Sequence, residues 1–304
     1  MPETATAQRT IDSEQMREIL RKVRRIEIRS RRAVQDVMAG EYHSVFKGRG
    51  MEFDEVREYE AGDEIRDIDW NVTARTGKPF IKRYVEEREQ TVFFVVDVSA
   101  SSVFGTHNRM KGEIAAEICS VLAFSAIENN DRVGLLCFSD RIEELIPPKK
   151  GRKHVLRVVR ELLFAKPKGS GTNLKLAMDT LNQVLKRRSI VFLVSDFFMD
   201  DIRKPLLVSK QRHDLVAIRL KDPREEVLPA AGIIELRDAE TGETMLVDTS
   251  SRAVRETFEK ENRRRQEEQQ KLFRKLGLDN LEVRTDRDYL EPLVQFFKRR
   301  AKRY

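Results

Sequence analysis

Three unbroken apolar runs constrain this chain more than any other feature: TVFFVVD (91–97), VGLLCF (133–138) and SIVFLVSDF (189–197). Each has strand length, and none alternates apolar with polar residues. That is the pattern of parallel strands covered by helices on both faces. Helical periods fill the gaps at about 109–129, 152–164, 173–187 and 200–211. Further strands are expected at 141–146, ending at Pro147-Pro148, and at 214–220 and 281–284, with a last helix at 288–302. This alternation predicts an α/β fold: a doubly wound, mostly parallel sheet with right-handed crossovers. Polar sites in such sheets collect at the carboxyl ends of strands, near the point where strand order reverses.

The flanking segments read differently. Residues 1–11 form a polar tail, and Asp12-Ser13 starts a helix with Gln15 placed for a capping box. Met16, Ile19, Leu20, Val23 and Ile26 follow at helical spacing, and Gly40 ends the helix. Between Arg17 and Arg32 it carries eight basic and two acidic residues, so helix 13–38 is basic and amphipathic. Residues 43–89 are rich in charge and turns, with short strands near 52–59 and 80–88 around an irregular Gly62–Gly77 segment. A hairpin is expected over 232–248, turning near Thr241-Gly242. A long polar helix over 251–276 closes at Gly277. Its middle, Glu259 to Lys271, has almost no apolar residue and is expected to project into solvent. The chain thus divides into a tail and basic helix (1–42), an extension (43–89) and a sheet domain (90–304) into which the hairpin and long helix are inserted.

The 304 residues are 40% hydrophobic, enough for a sizeable core, and 36% charged, above the ~25% usual in soluble proteins. A net charge of +7 permits an acidic partner, nucleic acid or a membrane surface and selects none of them. Cys119 and Cys137 lie in apolar runs outside any C-x-x-C or Cys/His pattern, so they read as buried free thiols. That fits a reducing compartment. No apolar run approaches the ~20 residues of a membrane helix, and Met1–Thr10 lacks the apolar core of a signal peptide. A soluble, cytoplasmic protein is the expectation.

Chemistry concentrates at strand ends. The first buried run closes with Asp97-Val98-Ser99-Ala100-Ser101, a glycine-rich loop holds Thr172 just before a helix, and the third run closes with Ser195-Asp196. Mg²⁺ is a hard octahedral ion that prefers oxygen and readily keeps waters. The hydroxyls of Ser99, Ser101 and Thr172 are neutral oxygen ligands, and Asp97 and Asp196 supply the negative charge. Taken separately, Asp97 could cap a loop, the serines could satisfy backbone groups and Thr172 could be a helix N-cap. Together and in this order, D-x-S-x-S, threonine and aspartate resemble the metal-ion-dependent adhesion site of von Willebrand factor A domains, which share this Rossmann-like alternation. That resemblance implies Mg²⁺, with Mn²⁺ or Ca²⁺ as possible substitutes, and an open coordination position that takes a Glu or Asp from a protein partner. One departure is visible: such domains often place glycine after the final aspartate, whereas this chain has Phe197-Phe198.

A second signature lies upstream. Glu58, Gly62-Asp63-Glu64, Arg66, Ile68-Asp69-Trp70 and Thr73-Ala74-Arg75, followed by Lys82 and Glu86-Glu87, resemble a bacterial family of A-like domain proteins without a settled function. The resemblance covers residues 43–304. Genes of that family commonly neighbour those of MoxR-type AAA+ ATPases, which implies such an ATPase as partner. Asp63, Arg66, Asp67, Asp69 and Arg75 suit a charge-assisted network that locks the loop, with Trp70 as its anchor. The competing reading is a partner surface made by Gly62, Asp63, Arg66, Asp69, Trp70 and Arg75 together with Phe197.

Other chemistry finds little support. The loop at Gly169-Ser170-Gly171-Thr172 lacks phosphate-loop spacing. The four histidines have no ligand spacing for zinc. Asp97-Val98-Ser99 lacks the second aspartate of aspartate-nucleophile phosphatases. The expectation is therefore a non-enzymatic, metal-dependent protein-binding adaptor that works with a MoxR-type ATPase in assembly or maturation of a client. The alternative is a nucleic-acid-associated basic scaffold using helix 13–38, which ranks lower because no aromatic interleaving accompanies the charge.

Overall fold

The structure, a computed structural model, describes residues 24–28, 51–86, 89–103, 110–169, 171–199, 201–237 and 243–303. The tail 1–11, most of helix 13–38 and the Thr241-Gly242 turn lie outside them. An antiparallel ribbon comes first, β1 (Met51–Glu58) and β2 (Phe80–Glu86). A 3-10 turn (Ile65–Asp67) and a short helix, α1 (Trp70–Thr76), join its strands. The alternating region follows: β3 (Thr91–Asp97), α2 (Lys111–Glu128), β4 (Arg132–Phe138), β5 (Ile142–Lys149), α3 (Arg152–Leu163) and α4 (Leu174–Val184). It continues with β6 (Ile190–Ser195), α5 (Arg203–Arg212) and β7 (Asp214–Lys221). Then come α6 (Pro223–Glu226), the hairpin β8 (Ile233–Arg237) and β9 (Thr244–Asp248), the long helix α7 (Arg252–Leu276), β10 (Asp279–Arg284) and α8 (Leu290–Ala301).

The six-stranded sheet has the order β10-β7-β6-β3-β4-β5. Its pairings are parallel except β4 with β5. This is the doubly wound α/β architecture expected. β5 runs through Pro147-Pro148 to Lys149 and does not stop before them. As the edge strand it pairs on one side only, so prolines without N–H groups are tolerated.

In β3, Val92 to Val96 are at most 1% exposed. Val92, Phe94 and Val96 face a cluster built by α2, α3 and α8, whereas Phe93 and Val95 face α4, α5 and the end of α7. Burying each such side chain contributes about 1.5–3 kcal/mol, so the central strand is rigidly placed. Residues 24–28 are helical, with Ile26 in the α2 and α3 cluster and Glu27 paired with Arg152. That turn of the basic helix packs on the domain.

The middle of α7 does not project freely into solvent. Asn262, Gln266 and Gln269 form a half-buried stripe at helical spacing against the carboxyl ends of the sheet. Asn262 donates to the Glu225 carbonyl at 2.7 Å, and Gln269 donates to the Phe197 carbonyl. Gln266 donates to Glu226 at 3.0 Å and accepts from Lys221 at 2.8 Å. These amides pair with part-buried backbone carbonyls and charged side chains that apolar residues would leave unpaired, so this contact face carries no hydrophobic period.

Candidate metal centre

After β3 the chain adds β4 and β5 on one side, then returns to place β6 on the other. Strand order therefore reverses between β3 and β6, and their carboxyl ends frame a crevice. Asp97 ends β3, and Ser195-Asp196 ends and follows β6. Asp97 Oδ1 accepts the Ser99 N–H at 3.0 Å, and Oδ2 accepts the Ser195 hydroxyl at 2.8 Å. The Ser99 and Ser101 hydroxyl oxygens lie 3.1 Å apart. Asp196 Oδ1 accepts the Phe198 N–H at 3.1 Å, and Oδ2 accepts the Lys111 ammonium at 3.0 Å. Lys111, the first residue of α2 and 1% exposed, also pairs with Glu225 of α6.

The threonine loop is held separately. Glu143 accepts the N–H groups of Lys168 and Gly169 at 3.0 and 2.9 Å and the Ser139 hydroxyl at 2.6 Å. Burial raises its pKa, but these hydrogen bonds outweigh burial and keep it below the usual value. A Cβ at Gly169 would sit 1.8 Å from Asp140 Oδ1 and 2.4 Å from Ser139 Oγ, so any larger residue there would have to displace the Asp140 and Ser139 side chains. The N-cap of α4 is Asn173, whose Oδ1 accepts the Leu176 N–H at 3.0 Å. Thr172 is thus not used for capping, and it lines the same cleft as Asp196.

Burial, and then the nearby Asp196 charge, push the Asp97 pKa up to about 6 despite hydrogen bonds from Ser99 and Ser195. Burial alone would lower the Lys111 pKa, but Asp196 and Glu225 reverse this and raise it. Glu225 is raised by burial, with Lys111 opposing.

These residues fit a hard divalent ion. Neighbouring oxygens of an octahedral ion with ~2.0–2.1 Å bonds are about 2.9 Å apart, and the two serine oxygens approach that spacing. The Asp97 carboxylate has about four acceptor positions, and the hydrogen bonds from Ser99 and Ser195 do not fill them all. Among the described residues, no group of three or more His, Cys, Asp or Glu side chains is placed to hold a metal. The candidate set is therefore two carboxylates with hydroxyls. Asp196 opens onto a cleft of about 880 Å³, bounded by Thr172, Phe198, Glu225 and the amide face of α7.

The signature residues lie elsewhere. The ribbon enters β3 at its amino end, opposite Asp97. Asp63 accepts both Arg57 nitrogens, at 2.7 and 3.0 Å, and the Glu60 N–H at 2.9 Å. Gly62, at φ +119°, gives this turn a backbone that suits glycine. Asp69 caps α1 by accepting the Asn71 and Val72 N–H groups at 2.9 and 3.2 Å, and it faces Lys82 at 3.7 Å. The charge network exists in this reduced form, but Arg66 and Arg75 are exposed. Trp70 is 66% exposed and does not anchor the segment. Nor is the segment irregular throughout, because it contains the 3-10 turn and α1.

Phe197 leaves the partner surface. It is 1% exposed, packs edge-on to Phe273 at 5.2 Å, and holds φ +59°, the region glycine favours. The exposed member of the pair is Phe198, whose ring lies 5.9 Å from Lys111 Nζ.

Residues 55–268 match the family described as Protein of unknown function DUF58. The chain belongs to this family. A DUF58 chain is thus what the upstream signature marked, and both it and the strand-end residues fall within the match. Rv1480 of Mycobacterium tuberculosis, an uncharacterized protein, is 31% identical over 92% of this chain and 89% of its own length. Among solved structures, the chain is similar to BatB, a conserved hypothetical protein of Bacteroides thetaiotaomicron. That match has 14% identity and a TM-score of 0.45, and covers 70% of this chain and 99% of BatB. It is also similar to the SpRpn10 VWA domain, with 13% identity and a TM-score of 0.35, over 43% of this chain and 75% of that domain. Among the described residues, no helix is long and apolar enough to cross a membrane.

Two site residues of this DUF58 chain, Lys111 and Glu225, are absent from the sequence expectation. Lys111 carried one usable signal: a cation in the first turn of a helix opposes the helix dipole and calls for a nearby carboxylate. Glu225 completes a capping box with Asp222, and nothing local distinguishes it from an ordinary first-turn acid.

Proposed function

We propose that this protein is a metal-dependent protein-binding adaptor. The carrying observation is the pairing of two buried carboxylates, Asp97 and Asp196, with a close hydroxyl pair at the sheet's switch point, where Asp196 and Thr172 line an open cleft. Burial, and then the Asp196 charge, disfavour the ionised form of Asp97, and a cation beside Asp97 would offset both. Mg²⁺ held by Asp97, Ser99, Ser101 and Thr172, with Asp196 acting directly or through water, would supply Lewis acidity toward a carboxylate arriving through the cleft. Ser195 orients Asp97, and the Phe198 N–H orients Asp196. The arriving group is a Glu or Asp of a protein partner. The exposed Ile65, Arg66, Trp70 and Arg75 of the ribbon form a second contact surface. By the family resemblance, one partner is a MoxR-type AAA+ ATPase acting on assembly or maturation of a client in the cytoplasm. The reading assigns no catalytic step to this chain.

The test is affinity capture from native cells with wild type and Asp97→Ala, each in Mg²⁺ and in chelator, with retained proteins identified by mass spectrometry. Retention of a defined partner by wild type in Mg²⁺ alone is the expected result. The same partner retained under all conditions would overturn the metal-gripping mechanism.

A further inference from the structure

The Lys111 side chain is the feature that the adaptor reading leaves unused. Its ammonium is 1% exposed and lies between two carboxylates from different elements. Asp196 follows β6 and Glu225 belongs to α6, so without the ammonium between them two acids would face the cleft together. Three carboxylates, those of Asp97, Asp196 and Glu225, with one ammonium leave two negative charges, the amount one divalent ion neutralises.

We infer that Lys111 sets the charge and ion selectivity of the metal site, by clamping the Asp196 and Glu225 carboxylates to each other and away from direct ligation. Direct ligation then falls chiefly to Asp97, the hydroxyls and water, a small low-charge set suited to Mg²⁺. Ca²⁺ takes six to eight oxygens at ~2.3–2.6 Å and gains from every added carboxylate oxygen, so the clamp works against it. The clamp also keeps Glu225, an acid of this same chain, from taking the position meant for a partner's carboxylate. This inference rests on the metal reading above.

The experiment is calorimetric titration of the full chain with Mg²⁺ alone and with Ca²⁺ alone, at neutral pH. The proteins are wild type, Lys111→Met, Glu225→Gln and the double variant, with folding checked by circular dichroism. Removing the ammonium adds one uncompensated negative charge, so K111M is expected to bind both ions at least about tenfold more tightly, with the larger gain for Ca²⁺. E225Q removes a negative charge, and about tenfold weaker binding is expected. The double variant restores the wild-type charge and is expected to return near wild-type Mg²⁺ affinity. Simple structural damage would weaken binding in all three variants. Wild-type Mg²⁺ uptake with K111M unchanged or weaker overturns the inference and leaves the metal reading standing. No uptake by any of the four proteins overturns both. Should K111M not fold, E225Q decides: unchanged affinity overturns the inference, and weakened affinity in a folded protein supports it.

Discussion

Phe197 offers a test in which two glycine effects have opposite signs. Its φ of +59° lies where a bulky side chain is strained, yet the ring is 1% exposed and packs edge-on to Phe273. Truncation to alanine removes the ring and keeps the strained backbone, so F197A should cost about 3–5 kcal/mol. Truncation to glycine removes the same ring and relieves about 1–2 kcal/mol of left-handed strain. Against this, glycine has a backbone entropy cost of about 0.5–1 kcal/mol. F197G should therefore be the more stable variant, by about 0.75 kcal/mol at the middle of these ranges and at most about 1.5 kcal/mol, reversing the usual order of alanine over glycine. Equilibrium urea unfolding of both variants measures the difference, with equal slopes required before midpoints are compared. If F197A is as stable as F197G, or more so, the strained turn after Asp196 is refuted. The turn that aims the Phe198 N–H at Asp196 would then need another explanation.

Two further outcomes are expected. His213 is buried, and burial with Arg212 and Arg188 nearby lowers its pKa from 6.5 to about 4. Between those values the unfolded chain takes up a proton that the folded chain refuses. Its contribution is intact above pH 6.5 and is lost as pH falls toward 4, by at most about 3 kcal/mol. A pH series of urea midpoints should show this loss, and His213→Leu should flatten it; an equal slope in the variant would exclude His213 as its source. Trp70→Ala should change unfolding free energy by less than about 0.5 kcal/mol, because the ring is mostly exposed, while retention of partners in affinity capture falls. A loss above about 2 kcal/mol would restore the anchoring role.

The parts legible in sequence were those where one physical demand acts on consecutive residues. β3 is buried on both faces, so its residues are uniformly apolar and its end at Asp97 is visible directly. Asp97 and Ser195-Asp196 fall at the carboxyl ends of the neighbouring strands β3 and β6, where the two apolar runs end in the sequence. What escaped depends on contacts between distant segments. Lys111 and Asp196 are 85 residues apart, and Lys111 and Glu225 are 114 apart. The amide stripe on α7 bonds to carbonyls just beyond β6 and β7, so its contact face looks like a solvated one. Trp70 misled for the opposite reason: a large aromatic side chain is usually buried, and here the cap of α1 is made by Asp69 alone.

The ribbon joins β3 at Thr91, and the candidate metal site begins at Asp97, so the rigid strand separates the ribbon's root from that site by about 20 Å. A ligand held at one end does not have to leave before another is engaged at the other. If both ends bind, two proteins become tethered through a rigid span, and each meets the other at an effective concentration fixed by that geometry. A variant that binds at only one end would then keep its single affinity and lose the avidity of the pair.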